Sequence, residues 1–337
     1  MGKILVTGGL GFIGSHTVVE LQNSGYEVVI IDDLSNSRRE VLNGIEGITG
    51  KAPEFVEMDL KDKKAVFEFF ENRQIDGVIH FAASKAVGES VENPLLYYEN
   101  NIATLVYLLQ ALVVNEVKSF IFSSSCTVYG QADELPITEN APVKKAESPY
   151  GNTKQIGEEI LNDVSKSNDI NVIALRYFNP IGAHESALIG ELPLGVPQNL
   201  IPFVTQTAAG IRKELSVFGE DYPTHDGTAI RDYIHVVDLA KAHISALERL
   251  LQGSNKSKME LFNVGTGKGS SVLDVIKAFE KVTGLELNYR IVDRRAGDVT
   301  AAYADTSIAN RELGWKAELG LDEALSSAWK WQQRNIS

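Results

Sequence analysis

The first half of the chain alternates short apolar runs with amphipathic segments of helical spacing. The apolar runs read KILVTG from residue 3, YEVVIIDD, EFVEMDL, GVIHFA, SFIFSSS and NVIALRYFN. Helical patterns such as FIGSHTVVELQNSG, KKAVFEFFENR and LVYLLQALVVNEV stand between them. A strand that is apolar throughout is covered on both faces, as in a parallel sheet packed between helices. The pattern therefore predicts an α/β fold with a doubly wound parallel sheet.

After Asn179 the pattern changes, because residues 180–230 contain Pro- and Gly-rich loop segments such as PLGVPQ and DYPTHDGT. Farther on, HVVDLAKAHISALERLL, SVLDVIKAFEKVTG and LDEALSSAWKWQQ have helical spacing, and ELFNVG and LNYRIV have the composition of strands. We therefore predict a first domain over residues 1–179 and a second, smaller α/β lobe over residues 180–337. A segment near residues 231–250 is expected to pack back on the first domain, and the two parts are expected to share a cleft.

Composition and charge exclude several classes of function. The net charge of −13 argues against a general nucleic-acid binder, which needs a basic surface to displace phosphate counterions. No apolar run approaches the length of a membrane span, and the N-terminus enters the first strand without an apolar leader, so neither membrane insertion nor export is expected. Cys126 is the single cysteine, which excludes an intramolecular disulfide and favours a cytoplasmic location.

No metal site is predicted, because no pair of His, Asp or Glu residues has convincing ligand spacing. His16 in the first helix and His80 inside an apolar strand are interpreted as packed, hydrogen-bonded side chains. Cys126 is interpreted as a small buried side chain beside a strand that ends in three serines.

The segment TGGLGFIG, residues 7–14, lies between the first strand and the first helix. Gly8 ends the strand and Gly14 opens the helix, whose free N–H groups and partial positive charge suit a pyrophosphate. Gly9, Gly11 and Gly14 also satisfy the G-x-G-x-x-G spacing, so the pattern leaves open which glycines approach the phosphates. In this context we predict a Rossmann-like dinucleotide site; the alternative is a tight turn without a ligand.

Asp32 ends the second strand, at the separation from the glycines where a carboxylate can reach a ribose diol. Asp32 and Asp33 would repel a 2′-phosphate, and the first arginine after them is Arg38. The sequence therefore favours NAD over NADP.

Tyr150 and Lys154, in SPYGNTK, are four residues apart at the start of a predicted helix and lie on one face of it. From this spacing we predict that Lys154 lowers the pKa of the Tyr150 phenol towards neutrality, as a base requires. Ser123, Ser124 and Ser125 end the strand SFIFSSS at the sheet edge where open α/β folds bind ligands. A hydroxyl there could relay a proton, although Ser123 and Ser124 are more simply read as partners for backbone groups.

Several further motifs occur in order between residue 3 and about residue 330. They are TGGLGFIGSH, IDDLSNS, HFAASKAVGES, YYENN, FSSSCTVYG, SPYGNTK, RYFNPIGAH, RDYIHVVDLA and RRAGD. Together they resemble the UDP-glucose 4-epimerase family of the extended short-chain dehydrogenase superfamily. The resemblance implies that a tightly held NAD⁺ takes a hydride from sugar C4 while Tyr150 takes the O4 proton. The 4-keto sugar then turns over and receives the hydride on its other face.

The resemblance also assigns roles to individual residues. Tyr150 is the base, Lys154 tunes it and orients the nicotinamide ribose, and Ser125 contacts O4. The implied cofactor residues are Gly8, Gly11, Phe12, Ile13, Gly14, Asp32, Asn36, Ser37, Asp59, Leu60, Phe81, Ala82, Ala83, Lys85, Asn100, Ser125, Tyr150, Lys154 and Phe178. The implied UDP-sugar residues are Ser125, Tyr150, Asn179, Asn199, Leu200, Phe218, Arg231, Arg295, Asp298 and Ala302.

Relatives that dehydrate or decarboxylate sugars place carboxylates after the serine position at the sheet edge. Here Ser125 is followed by Cys126 and Thr127, which disfavours both reactions. Ala302 occupies a position where tyrosine often closes the space beside the sugar 2-substituent, so we expect UDP-N-acetylglucosamine and UDP-N-acetylgalactosamine to be substrates as well; drift at a packed site is the alternative. The family forms homodimers through the helices around LVYLLQALVVNEV and KQIGEEILNDVSK. An epimerase of another nucleotide sugar and a non-catalytic NAD-binding sensor remain the alternative functions.

Overall fold

Seven parallel strands form the central sheet of the computed structural model, which describes residues 2–295 and 298–336. Ala296 and Gly297 of the RRAGD motif lie outside the described residues. The strands are β1 (Lys3–Thr7), β2 (Glu27–Asp32), β3 (Glu54–Glu57), β4 (Gly77–His80), β5 (Ser119–Ser125), β6 (Asn171–Tyr177), β7 (Asn179–Ile181), β8 (Leu215–Phe218), β9 (Ile230–His235), β10 (Met259–Val264), β11 (Gly269–Ser271), β12 (Tyr289–Val292) and β13 (Ala301–Ala302). The order in the central sheet is β10-β6-β5-β4-β1-β2-β3.

Helices cover both faces of this sheet. The helices are α1 (Phe12–Asn23), α2 (Val41–Thr49), α3 (Lys63–Phe70), α4 (Val87–Glu92), α5 (Pro94–Tyr98), α6 (Thr104–Val114), α7 (Pro149–Ser167), α8 (Leu200–Ala208), α9 (Val236–Leu251), α10 (Val272–Thr283), α11 (Ser307–Glu312) and α12 (Leu321–Ile336). In β1, Ile4 and Val6 pack with α1, α2 and α9, whereas Leu5 packs with α3, α6 and α7. This alternation explains why the strands are apolar throughout, and the predicted doubly wound α/β class is confirmed.

The second lobe is built around β9. This strand pairs in parallel with β7 and β13 and antiparallel with β11, and β8 and β12 form a separate parallel pair. Its core is a cluster between α8, α10, α12 and these strands. Ser271 and Asp274 form a capping box that fixes the start of α10. None of the described helices has both the length and the apolar content needed to cross a bilayer.

The chain returns to the first sheet twice after residue 180. The predicted segment near residues 231–250 does pack on the first domain, because α9 lies in the core cluster beside α1. The strand ELFNVG, which we assigned to the second lobe, instead pairs with β6 as β10. That assignment was wrong for a physical reason: Phe262 and Leu261 face the two opposite core clusters, and only the central sheet is covered on both faces.

Candidate active site

The glycine turn between β1 and α1 is packed too closely for other residues. Gly8 has φ +67°, and a Cβ there would lie 2.8 Å from the backbone nitrogen of Ala82. A Cβ at Gly14 would lie 2.2 Å from the carbonyl oxygen of Gly8, whereas at Gly11 that oxygen, 3.2 Å away, is the one neighbouring atom within 4 Å. Gly8 and Gly14 therefore set the shape of the turn, and Gly11 leaves the backbone open to a close approach.

This turn fits the pyrophosphate of a dinucleotide. The first turn of α1 contains no acidic residue, and no side chain caps the helix at Gly11. Its amide groups, Phe12 and Ile13 among them, are therefore aimed out of the helix with a partial positive charge behind them. The turn also lies between β1 and β4, where the strand order reverses and where open α/β sheets bind ligands.

The Asp32 carboxylate connects this turn to the loop after β2. It accepts hydrogen bonds from the backbone N–H of Leu10 at 3.0 Å and of Leu34 at 3.1 Å, and from the Ser37 hydroxyl at 2.7 Å. Asp33 is exposed and accepts from Ser35 instead. Asp32 is thus held beside the glycine turn by three donors, and its contact with a ribose stays a prediction from the sequence.

The loop after β4, which contains Phe81, Ala82, Ala83 and Lys85, is fixed by two asparagines. Asn100 donates to the Ser84 hydroxyl at 2.9 Å. Asn101 accepts from the Ser84 N–H at 2.8 Å and donates to the Ser84 carbonyl at 2.9 Å and to the Thr153 hydroxyl of α7 at 3.0 Å. Both belong to a π-helical turn, Glu99–Ala103, a feature frequent at functional sites.

Asn101 was missed in the sequence, where YYENN suggested Asn100 alone. The available signal was a second asparagine inside an otherwise apolar helical pattern. A buried amide that joins the cofactor-side loop to α7 needs both its donor and its acceptor satisfied, which this position achieves.

Tyr150 and Lys154 lie in the first turns of α7, opposite the end of β5. Ser148 caps the helix by accepting from the Gly151 N–H at 3.1 Å. Lys154 donates to the Ser123 carbonyl at 2.7 Å, and its ammonium lies 5.9 Å from the centre of the Tyr150 ring. Ser125 and Tyr150 share a side-chain hydrogen bond. The three predicted catalytic residues are therefore brought together at the carboxyl edge of the sheet.

The other two serines of β5 contact side chains rather than the backbone, contrary to our simpler interpretation. Ser123 and Tyr177 share a hydrogen bond of 2.5 Å. Ser124 donates to the Glu158 carboxylate at 2.6 Å. Each hydroxyl therefore fixes a neighbouring element against the strand that ends at Ser125.

Burial dominates the protonation of the catalytic side chains. It raises the pKa of the Tyr150 phenol well above its usual range, although the hydrogen bond from Ser125 acts in the opposite direction. Burial also lowers the pKa of Lys154 to about 8, against the attraction of Glu158. From the spacing alone we predicted that the pKa of Tyr150 is lowered, whereas in the chain without cofactor it is raised. The prediction was wrong because helical spacing carries no information on desolvation.

Two arginines and an aspartate meet in the second lobe. Arg295 donates to the Asp298 carboxylate at 3.1 and 2.8 Å, and Arg231 pairs with the same carboxylate at 3.5 Å. Asp232, next to Arg231 in the chain, is buried and instead accepts hydrogen bonds from Thr266 and from the backbone N–H of Gly267. The guanidinium of Arg295 also lies 5.8 Å from the Phe218 ring. A planar ring beside two fixed guanidinium groups suits a nucleotide diphosphate.

The second lobe approaches the catalytic cluster through β9 and β13. Ala302 is the register partner of Arg231 and packs against a small core cluster that contains Phe178. Arg231 also acts electrostatically on Cys126, next to Ser125, while burial raises the pKa of that thiol to about 12. Cys126, predicted to be a small buried side chain, is half-buried, and its raised pKa disfavours the thiolate.

Glu191 contacts both Lys85, which was predicted to bind the cofactor, and Asn199, which was predicted to bind the UDP-sugar. Its carboxylate lies 3.6 Å from the Lys85 ammonium and accepts from the Asn199 amide at 2.6 Å. Asn199 precedes α8 and makes no capping hydrogen bond with its side chain. Lys85 of the first domain and Asn199 of the second lobe thus face one another across a single carboxylate.

The comparisons with known proteins decide the family. A family model described as GDP-mannose 4,6 dehydratase matches residues 5–328. The UDP-glucose 4-epimerase of Bacillus subtilis is 53% identical over 335 residues, covering 99% of this chain and 98% of that protein. The chain belongs to the UDP-glucose 4-epimerase family. The resemblance seen in the motifs is confirmed, and so is NAD as the cofactor.

Solved structures of the UDP-glucose 4-epimerase family extend this result. The enzyme from Stenotrophomonas maltophila, with bound NAD and formylated UDP-arabinopyranose, has a TM-score of 0.96 and 48% identity and covers 100% of this chain and 99% of its own. A UDP-Glc/GlcNAc 4-epimerase from Campylobacter jejuni has a TM-score of 0.85 and 36% identity, covering 99% of this chain and 100% of its own.

Some implied epimerase residues lie away from the cluster. Asn36 is exposed beyond β2, and Asp59 accepts from the Lys61 N–H in a turn after β3. The Leu60 side chain is buried in a core cluster. Asn179 lies in β7 opposite Tyr233, and Leu200 packs in the second-lobe core. These assignments stay predictions from the resemblance.

Proposed function

We propose that this chain interconverts UDP-glucose and UDP-galactose at sugar C4, using a tightly bound NAD that is not consumed. The observation that carries the proposal is the meeting of Tyr150, Lys154 and Ser125 at the carboxyl edge of β5. This cluster shares its sheet edge with the glycine turn, and Arg231 of the second lobe acts electrostatically on Cys126, next to Ser125. We therefore infer that a redox site and an anion site lie side by side.

Reversible hydride transfer at C4 is the chemistry that bound NAD supplies. The glycine turn and the first turn of α1 hold its pyrophosphate, and Asp32 holds the adenosine ribose. Lys154 orients the nicotinamide ribose, and the loop fixed by Asn100 contacts the dinucleotide between these points. Phe178 packs beside the nicotinamide end.

Tyr150 moves the proton. Its phenolate takes the O4 proton when C4 loses a hydride, and its phenol returns that proton when the hydride comes back to the other face. Ser125 hydrogen-bonds O4 and Tyr150, which keeps the proton path short. Positive charge beside the phenol, from Lys154 and from the oxidised cofactor, opposes the effect of burial on the pKa of Tyr150.

The second lobe holds the UDP group. Arg231 and Arg295 clamp the diphosphate, Asp298 keeps the two guanidinium groups in position, and Phe218 lies beside the uracil. Asn179, Asn199 and Leu200 complete the pocket. Since both sugar faces must be presented to one hydride position, the nucleotide is held firmly and the hexose is left free to turn.

The test is an incubation of the purified chain with UDP-galactose and no added cofactor, in which NMR follows the C4 configuration of the product. Formation of UDP-glucose is expected, because NAD stays bound through purification. If no product forms even when NAD⁺ is supplied, the proposed reaction is wrong, and an epimerase of another nucleotide sugar or a sensor takes its place.

Ala302 supports a second pair of substrates, UDP-N-acetylglucosamine and UDP-N-acetylgalactosamine. It is half-buried beside the cluster that contains Phe178, and it lies in register with Arg231. A methyl group at this position leaves room beside the sugar 2-substituent for an acetamido group. The similar structure from Campylobacter jejuni is of an enzyme named as a UDP-Glc/GlcNAc 4-epimerase, which supports this proposal.

Replacing Ala302 with tyrosine is expected to remove most epimerisation of UDP-N-acetylgalactosamine and to leave that of UDP-galactose within a few-fold. The ring would fill the space that the acetamido group needs, and steric exclusion of this kind changes rates by about 10- to 200-fold. The measurement is kcat/KM for both substrates. Ala302→Ser, which adds one atom, is the matched control. Equal losses on the two substrates would contradict the steric argument.

We also infer that the chain forms a homodimer through α6 and α7. Apolar side chains line the outer surfaces of these helices, with Val113 and Val114 exposed and Val106 and Ile156 half-buried. Sedimentation of the purified chain measures this directly. A cytoplasmic location is proposed on the single cysteine, whose thiol a reducing compartment keeps unmodified.

A further inference from the structure

Three residues on one face of α7 each contact a different serine of β5. Tyr150 hydrogen-bonds Ser125, and Lys154 donates to the Ser123 carbonyl. Glu158, one turn farther along, accepts from the Ser124 hydroxyl at 2.6 Å. The predicted catalytic pair is therefore part of a row of three with a spacing of four residues.

Glu158 is a buried carboxylate with a buried partner. The relative exposure of Glu158 is 8% and that of Arg176, in β6, is 3%. The guanidinium binds both carboxylate oxygens, at 2.9 and 2.5 Å. Two parallel charge-assisted hydrogen bonds fix the orientation of the carboxylate as well as its charge.

The guanidinium is itself fixed on its other side. Arg176 donates to the Tyr129 hydroxyl at 2.9 Å, and that hydroxyl donates to Asn263 at 2.7 Å. Asn263 donates in turn to the Ile137 carbonyl at 2.9 Å. The pair is therefore held between α7, β6 and β10 by direct hydrogen bonds, which gives Glu158 one orientation towards Ser124.

Glu158 is the negative charge that acts on Lys154. The other groups beside the Lys154 ammonium are neutral: the Phe122 ring at 5.0 Å, the Tyr150 phenol, whose pKa burial raises, and His80, whose pKa burial lowers to about 3. Glu158 alone raises the pKa of Lys154 against burial. Without it, a buried lysine in this setting gives up its proton more readily.

We propose that Glu158, held by Arg176, is a positioning residue for epimerisation: it fixes the end of β5 against α7 through Ser124 and places a carboxylate one helical turn from Lys154. The inference rests on the proposed roles of Tyr150 and Lys154. A carboxylate with no role beyond packing would affect the amount of folded protein. One that holds the charge of Lys154 also affects the pH at which activity is lost.

The test is the pH profile of kcat for UDP-galactose in Glu158→Gln. The glutamine keeps an oxygen for Ser124 and removes the charge, so the pKa of Lys154 falls. Activity that requires the ammonium is then lost at lower pH, and the alkaline limb should move down by about one unit. KM should change little, because Glu158 does not contact the substrate. Glu46→Gln, an exposed change of equal charge on α2, should leave the limb in place.

A second variant guards against misfolding. Glu158→Gln leaves the Arg176 guanidinium uncompensated, whereas Glu158→Gln combined with Arg176→Gln removes both buried charges. The alkaline limb should move down in this double variant too, by less than in Glu158→Gln, because the positive charge of Arg176 is removed together with the carboxylate. An unmoved limb in the folded variants, or an equal shift in Glu46→Gln, overturns the proposal. Full activity of Tyr150→Phe would contradict the proposed function itself. An unmoved alkaline limb with an inactive Tyr150→Phe would contradict only the role of Glu158, so the two outcomes are distinguishable.

Discussion

Replacing Tyr150 with phenylalanine is expected to slow C4 epimerisation by about 10²- to 10⁴-fold, the range for loss of a general base. The Tyr150 side chain is buried in the first turn of α7, so phenylalanine keeps the packing and removes the atom that exchanges the O4 proton. Lys154 keeps its bond to the Ser123 carbonyl. The measurement is the initial rate with UDP-galactose, by NMR or by a coupled assay for UDP-glucose.

NAD retention separates a chemical defect from a binding defect in this variant. Cofactor released by denaturing the protein should remain near one NAD per chain in both the parent and Tyr150→Phe. Tyr26→Phe is the control. It removes a phenolic hydroxyl from a side chain that packs on the core cluster between the central sheet and α1, α2 and α9. A non-catalytic sensor would show no activity in any variant, and a Tyr150→Phe enzyme of normal rate would remove the proposed base.

The central sheet could be predicted because continuous apolar strands have one stable environment. Six of its seven strands were assigned to it from the sequence. The seventh strand, β10, has the same apolar pattern, but nothing in ELFNVG indicates which sheet the strand joins. Its place follows from α9, which brings the chain back across the first domain before residue 259.

The glycine turn and Asp32 were predictable because their chemistry is local. Gly8, Gly14 and the end of β2 are close in sequence, and the turn they form depends on few other residues. In the structure Gly14 packs on the Gly8 carbonyl and Asp32 accepts from the N–H of Leu10, so the two features lie together; the ribose contact of Asp32 stays a prediction.

The burial of Glu158 could not be predicted from the sequence. It is followed by Glu159, and the pair GEEIL resembles a solvated helix face. The structure buries Glu158 against Arg176 and leaves Glu159 exposed. The difference depends on which helix face meets β6, a tertiary contact. The prediction for the pKa of Tyr150 was wrong for the same reason, since the burial that raises this pKa is a property of the folded molecule.

Gly14→Ala is expected to lower both stability and NAD binding more than any other small substitution in the glycine turn. The new Cβ would lie 2.2 Å from the Gly8 carbonyl oxygen and 2.9 Å from the Gly9 Cα, both rigid backbone atoms. The turn and α1 must separate to relieve the overlap, which costs about 1–3 kcal/mol of folding free energy or more. That separation also moves the first-turn amides away from the pyrophosphate, so NAD should be lost during purification.

Gly88→Ala is the matched control, because a Cβ there has no neighbouring atom within 4 Å. Urea midpoints and NAD content should fall together in Gly14→Ala and stay unchanged in Gly88→Ala. A lower midpoint with full NAD content would separate helix packing from cofactor binding. A normal midpoint with full NAD content would mean that the turn tolerates the methyl group, and the close contact between Gly14 and Gly8 would then have no role in binding.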